Sequence, residues 1–192
     1  MYLRYLKRPF DIFISICVSI LFSWLFLLIV VLYIVTFQFP IFFLHERIGL
    51  NGKPFLMFKF RTLKPDSKIP LNDRQFWLGK ALRFFSLDEM PQLFNILQGE
   101  MSFIGPRPLP VEYKLLMNEQ QLKRHSVRPG ITGWTQVHSR HQMSWKEKFE
   151  LDEYYIQHLS LKLDLIILAK TALVLLTPRK DVSLLEEKFR GN

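Results

Sequence analysis

At 192 residues the chain has room for one compact domain and an anchor, but not for two full domains. Its single cysteine, Cys17, excludes an intramolecular disulfide and fits a cytosolic setting. A net charge of +9 requires an anionic partner, whether nucleic acid, acidic lipid or a phosphorylated substrate, and charge alone does not choose among these.

Residues 12–44 form an apolar run without a charged side chain, bounded by Asp11 and His45. About 20 such residues cross a bilayer core of about 30 Å, so the run predicts membrane insertion. It is too long for a cleaved signal peptide and lacks a small-residue cleavage site. Basic residues stand on both sides (Arg4, Lys7 and Arg8 before, Arg47, Lys53, Lys59, Arg61 and Lys64 after), so the positive-inside tendency favours neither end. Two readings stay open. One is a re-entrant hairpin bent near Ser19 or Ser23, whose hydroxyls can bond back to preceding carbonyls. The other is a tilted spanning helix ending before Pro40, since a straight helix of this length would reach about 50 Å.

Beyond Pro40 the composition is mixed, without repeats. Phe55–Phe60 reads as a short strand, and Lys64-Pro65-Asp66-Ser67 as a loop. Asp73–Phe85 spaces Phe76, Trp77, Leu78, Leu82 and Phe85 helically among Arg74, Lys80 and Arg83. This predicts an amphipathic helix suited to a membrane interface or to a protein core. Ser144 with Glu147 predicts a capped helix running to His158. The apolar stretch 161–177 carries Lys162, Asp164 and Lys170, which suits an interfacial or core helix better than a membrane crossing.

The chemically informative block is 79–113. Ser86 and Glu89 have the spacing of a capping box, but Pro91 is better placed near a helix start. Beginning that helix a residue or two later makes Asp88 its cap and lets Gly99 end it. A carboxylate there faces free N–H groups that favour its ionised form and that also attract phosphate. An ionised aspartate can attack phosphorus, or bind a Mg²⁺ shared with a diphosphate. Arg107 lies between Pro106 and Pro108 on a stiffened backbone, and guanidinium grips phosphate oxygens in pairs. Arg83, Arg128 in the turn-rich loop 127–134, and Arg140 add further cations. Each arginine alone also fits a surface salt bridge; the combination points to phosphate.

The blocks KRPFD, FKFRT, RFFSLDEMPQLFNILQGEMSFIGPRP, HSVRPGITGWTQV and FELDEYY resemble the monotopic polyprenyl-phosphate phosphoglycosyl transferases. These are the bacterial sugar transferases that start glycan assembly. The likeness runs from Lys7 to about Thr177; the chain looks like the short stand-alone form and is similar to the transferases that initiate bacterial N-linked glycosylation. It implies an α+β, mainly helical, monotopic membrane protein. Residues 1–44 would form a re-entrant anchor, and residues 45–192 a catalytic domain with interfacial helices on the cytoplasmic face of the inner membrane. It also implies a ping-pong reaction in which Asp88 attacks the sugar-bearing phosphate of a UDP-sugar and releases UMP. Polyprenyl (undecaprenyl) phosphate would then take the phosphosugar from Asp88. By the same resemblance Glu89 completes the dyad, Asp88 binds Mg²⁺, and Arg83, Pro106, Arg107, Pro108 and Arg140 line the phosphates and nucleotide. Membrane lipids are expected partners and nucleic acid is not, for no nucleic-acid motif is present. Two departures stand out. The family commonly has Ser-Pro at the helix bend where this chain has Ser23-Trp24, and His138 and His141 stand where related chains often carry asparagine. A non-enzymatic anchor for an assembly partner would explain the apolar run and basic surface, but not Asp88-Glu89 beside Gly-Pro-Arg-Pro.

Overall fold

Residues 12–44 do not form one rod. In the computed structural model, which describes residues 2–66, 68–138, 143–176 and 188–191, helix α1 (Lys7–Leu21) meets helix α2 (Ser23–Val35) at a bend of 59°. The cause is local. Ser23 Oγ donates to the Ile20 carbonyl at 2.9 Å, the acceptor that the Trp24 N–H would use in an unbroken ladder. The bend therefore falls at Ser23 without a proline. Among the described residues no single helix is long and apolar enough to cross a membrane, whereas α1 and α2 taken together reach that length and composition.

The faces of α1 are inverted relative to a helix on a water-exposed surface. Lys7, Asp11 and Ser15, one turn apart, are buried, while Phe13, Ile16 and Ile20 are exposed, and the apolar stripe continues through Trp24, Leu27 and Val31 of α2. The two buried charges, Lys7 and Asp11, are satisfied by the rest of the chain, while the Ser15 hydroxyl has no partner among the described residues. Asp11 accepts from Ser102 Oγ at 2.9 Å and from the Phe103 N–H at 3.0 Å. Lys7 Nζ lies 3.3 Å from Asp11 and 2.8 Å from Asp164, which also accepts from Tyr2 and Tyr155 at 2.6 and 2.9 Å.

After α2 the chain turns into an antiparallel hairpin, β1 (Phe42–Ile48) and β2 (Pro54–Phe60), with Phe42 opposite Phe60 and Ile48 opposite Pro54. β2 is the strand read from the sequence. β1 went unread because its first residues continue the apolar run. The expected helix 73–85 is shorter. Leu71–Arg74 is a 3₁₀ turn, the Lys64 N–H donates to the Arg74 carbonyl at 2.9 Å, and Leu63 bridges Gln75, which pulls the backbone extended. Helix α3 then covers Trp77–Phe84. Its buried Leu78 and Leu82 join Phe76, Phe60, Ile29 and Tyr33 in a core, while Trp77, Phe84 and Phe85 are exposed. The helix therefore has both a core face and an exposed apolar face. Gly79 permits its close approach, since a Cβ there would stand 2.3 Å from the Thr62 carbonyl oxygen.

Helix α4 (Gln92–Gln98) ends, as expected, at Gly99 with φ 90°. Strand β3 (Ser102–Ile104) pairs in parallel with β4 (Gly130–Thr132) across a segment containing the short α5 (Glu119–Leu122). Helices α6 (Trp134–His138), α7 (Trp145–Gln157) and α8 (Leu161–Leu176) follow. Ser144 and Glu147 form the predicted capping box of α7. α8 buries Leu163, Asp164 and Ile167 and exposes Leu161, Leu165 and Leu173.

The bend makes a specific prediction. Trp24→Pro should change unfolding free energy by less than about 1 kcal/mol, because the N–H it removes has already been displaced by Ser23. Leu28→Pro, inside α2, should cost about 3 kcal/mol or more. Thermal unfolding of the detergent-solubilised variants checks both.

Candidate active site

The carboxylates of interest lie on a turn rather than at a helix cap. Ser86 adopts a left-handed backbone, with φ 56°, and Leu87–Glu89 forms one 3₁₀ turn. Neither the Ser86–Glu89 capping box nor the Asp88 cap forms, since α4 begins at Gln92 and is preceded by Pro91. The reversal at Ser86 breaks the helical path, and this turns Asp88 inward to a buried position.

Around the turn stand four basic side chains. Lys59, near the end of β2, places Nζ 2.6 Å from Glu89 Oε1, and Arg107 Nη1 lies 3.6 Å from the same oxygen. Arg83, in the last turn of α3, donates to Thr62 Oγ1 at 3.2 Å. Arg47, on β1, bridges Pro110, and its buried Nε has no hydrogen-bond partner among the described residues. Burial, then the charge of Arg107, pushes the Arg47 guanidinium down to about 10. Asn95 of α4 fixes β2 against the turn, donating to the Leu56 carbonyl at 2.7 Å and accepting from the Phe58 N–H at 3.0 Å.

The Gly105-Pro106-Arg107-Pro108 segment is zipped to the Arg128-Pro129-Gly130 loop by backbone bonds. The Gly130 N–H donates to the Pro106 carbonyl at 3.0 Å, and the Gly105 N–H to the Thr132 carbonyl at 2.9 Å. A Cβ on Gly130 would lie 2.1 Å from the Gly105 nitrogen, so only glycine allows this approach. Pro106 and Pro108 are buried and Arg107 is half-buried, which makes the prolines the frame and the arginine the working group. Arg128 does not join the carboxylates. Its Nε donates to the Gly99 carbonyl at 2.7 Å, and Arg8 reaches the Ile96 carbonyl at 2.6 Å, so both close the C-terminus of α4.

The matches to other proteins concern this same framework. The family model for bacterial sugar transferases matches residues 2–178. The chain belongs to the bacterial sugar transferase family. An uncharacterized sugar transferase EpsL of Bacillus subtilis is 45% identical over 86% of this chain and 85% of its own length. A UDP-N-acetylgalactosamine-undecaprenyl-phosphate N-acetylgalactosaminephosphotransferase of Aeromonas hydrophila is 36% identical over 90% of this chain and 44% of its own. A UDP-glucose:undecaprenyl-phosphate glucose-1-phosphate transferase of Klebsiella pneumoniae is 40% identical over 86% and 39% respectively.

In this sugar transferase, Asp88, Glu89, Arg83 and Arg107 converge, and Lys59, Arg47 and Asn95 join them. The sequence had singled out the first four. Lys59 and Arg47 had read only as basic flanks of the apolar run, and β-strand alternation around Lys59 was the signal that could have found it. Arg140 and His141 lie outside the described residues. His138 is engaged elsewhere: its Nδ1 meets the Trp134 carbonyl at 2.8 Å, and its Nε2 meets Lys170 Nζ at 2.8 Å. Among the described residues no three His, Cys, Asp or Glu side chains converge to hold a metal by themselves.

Electrostatics divide the dyad. Burial raises the Asp88 carboxyl to about 6, with Glu89 adding to the rise and Lys59, Arg83 and Arg107 opposing it. Burial also acts to raise Glu89, but Lys59 and Arg107 outweigh it and hold Glu89 well below the usual carboxylate range. The expectation that a helix start would keep Asp88 ionised is thus replaced by a carboxylate whose charge is held against desolvation. Because its folded pKa is raised, ionised Asp88 destabilises the fold fully above about pH 6, and this penalty fades as pH falls toward 4. In chelator, Asp88→Asn should therefore stabilise the protein at pH 8 by on the order of 2 kcal/mol, and hardly at all near pH 4. Thermal unfolding across that range checks the sign.

Proposed function

We propose that the protein transfers a sugar 1-phosphate from a UDP-sugar to polyprenyl (undecaprenyl) phosphate, releasing UMP, by way of a phosphosugar on Asp88. The observation that carries this reading is a buried, desolvated aspartate beside Lys59, Arg83 and Arg107, with Arg47 near Glu89 and Arg107 and exposed apolar side chains next to the turn. A poorly solvated carboxylate is the stronger nucleophile, and the cations favour a diphosphate within reach of it. Phe84 and Phe85, just before the turn, and Phe94 and Leu97, just after it, are exposed and apolar. This suits a phosphate delivered on a lipid. The relatives from Aeromonas hydrophila and Klebsiella pneumoniae, by their names, act on undecaprenyl phosphate with different sugars, so the family supports the reaction and leaves the sugar open.

In the first step Asp88 Oδ forms a bond to the sugar-bearing phosphorus as the bond from that phosphorus to the bridging oxygen breaks, and UMP departs. In the second step a phosphate oxygen of polyprenyl phosphate attacks the same phosphorus, and the Asp88 carboxylate leaves. No net proton change is required of the dyad. Glu89, held ionised by Lys59 and Arg107, aims those two cations rather than donating a proton. Mg²⁺ commonly binds one or two carboxylates together with substrate phosphates, which fits Asp88 as a ligand for an ion shared with the diphosphate. Such an ion would supply neutralisation of developing phosphate charge.

The same reading includes a monotopic arrangement. α1 and α2 form a re-entrant pair that enters the cytoplasmic leaflet of the bacterial inner membrane and returns, with the catalytic domain on the cytoplasmic face. The inverted faces of α1 support it, since exposed apolar stripes of this extent need lipid.

Three outcomes test these proposals. Incubation of wild type with UDP-glucose, UDP-galactose or UDP-N-acetylgalactosamine should release UMP with at least one of them. Mass spectrometry should then find a phosphosugar on the peptide containing Asp88, and Asp88→Asn should show neither signal; turnover by that variant would remove Asp88 from its role. Arg107→Lys keeps the charge but loses the planar fork, so kcat/KM should drop by about 10- to 100-fold, and wild-type kinetics would exclude bidentate phosphate binding. Single cysteines at positions 2 and 51 in a Cys17→Ser background should both escape an impermeant thiol reagent in intact cells. Labelling at position 2 alone would establish a spanning helix.

A further inference from the structure

Pro106 fixes its own φ and Pro108 biases Arg107 toward an extended ψ, but neither fixes the φ of Arg107, which with ψ sets where its side chain and carbonyl point. A separate buried network closes that freedom. Arg124, 5% exposed, donates from Nη2 to the Arg107 carbonyl at 2.8 Å. The same Nη2 stands 2.7 Å from Asp152 Oδ2 of α7. Asp152, 3% exposed, accepts at Oδ1 from the Thr135 hydroxyl of α6 at 2.6 Å. The Arg124 guanidinium also lies 5.5 Å from the centre of the Phe149 ring.

Burying this ion pair is an expensive way to fill a core, because apolar side chains of similar volume commonly do so with equal or better stability. What apolar side chains cannot do is hold a carbonyl in one orientation. The Arg124 bond ends on the residue whose guanidinium reaches Glu89, and the network begins on helices α6 and α7, which take no direct part in the dyad.

We propose that Arg124, held by Asp152 and Thr135, is a positioning residue for the transfer reaction: it orients the Arg107 backbone so that the guanidinium meets Glu89 and the substrate phosphate. This rests on the reading of Arg107 as a phosphate ligand. A displacement of about 1 Å in such a group costs roughly 100-fold in rate, so a bond that only sets orientation has leverage on catalysis.

The test is a double-mutant cycle on the full chain, using undecaprenyl phosphate and whichever of UDP-glucose, UDP-galactose and UDP-N-acetylgalactosamine the wild type turns over. kcat/KM and Tm are measured for wild type, Arg124→Lys, Arg107→Ala and the double variant. Arg124→Lys should lower kcat/KM by at least about tenfold when Arg107 is present, and by less than about threefold when it is alanine. Its effect on Tm should be the same in both backgrounds, as the fold loses the same bonds in each. An equal loss of kcat/KM in both backgrounds overturns the positioning role and leaves Arg107 as a phosphate ligand. Wild-type kinetics for Arg107→Ala overturn both readings together. If Arg124→Lys does not fold, Thr135→Val runs through the same cycle, loosening Asp152 without removing a charge. A smaller loss that again depends on Arg107 supports the proposal, and an Arg107-independent loss overturns it.

Discussion

Lys7 is the group on which the placement of everything else depends. Its buried ammonium joins Asp11 on its own helix to Asp164 on α8, and those two aspartates collect the hydroxyls of Ser102, Tyr155 and Tyr2. Four elements from three regions of the chain meet there: helix α1, strand β3, and the consecutive helices α7 and α8. Removing one member of such a cluster leaves a buried charge uncompensated, at a cost of about 3–5 kcal/mol. That penalty makes the docking of α1 specific in a way that apolar contacts alone would not, because a helix whose other face is apolar has many equivalent ways to lie on a core.

From that anchor the site follows by short connections. β3 leaves the cluster at Ile104, whose carbonyl accepts from Tyr155 at 3.1 Å, and the next residues are Gly105-Pro106-Arg107. The arginine is therefore set relative to α1 through three residues of strand and a glycine packed against the opposite loop. Arg8, one residue beyond Lys7, closes the end of α4, which carries the Asp88 turn at its other end. The two halves of the candidate active site are thus referenced to the same turn of α1. Helix α1 is part of the scaffold that holds the candidate active site.

At the dyad, stability and chemistry pull in opposite directions. Glu89 is stabilised by Lys59 and Arg107, while its neighbour Asp88 carries the cost of burial. Adjacent carboxylates with opposed environments are the pattern expected where one residue organises charge and the other reacts. The left-handed turn at Ser86 contributes to the same end, since it aims Asp88 inward at some local cost in backbone energy.

Much of this was legible in the sequence, because it depends on order along the chain. The apolar run, the serine at the bend, the strand at Phe55–Phe60, the Ser144 capping box and the Gly99 stop are local signals, each with a local cause. So was the pairing of Asp88-Glu89 with Gly-Pro-Arg-Pro, since a proline-framed arginine and an acidic pair carry their chemistry in residue type. The tertiary structure decided the rest, because it depends on residues distant in sequence. A charge on α1 reads as the edge of a membrane segment until Asp164 is brought beside it. Lys59 reads as a flanking cation until Asn95 fixes its strand against the Asp88 turn. Arg128 reads as a phosphate ligand until the Gly99 carbonyl claims it. The ionisation of Asp88 likewise could not be read from a helix start, because desolvation is a property of the packed protein and not of the residue's place in the chain.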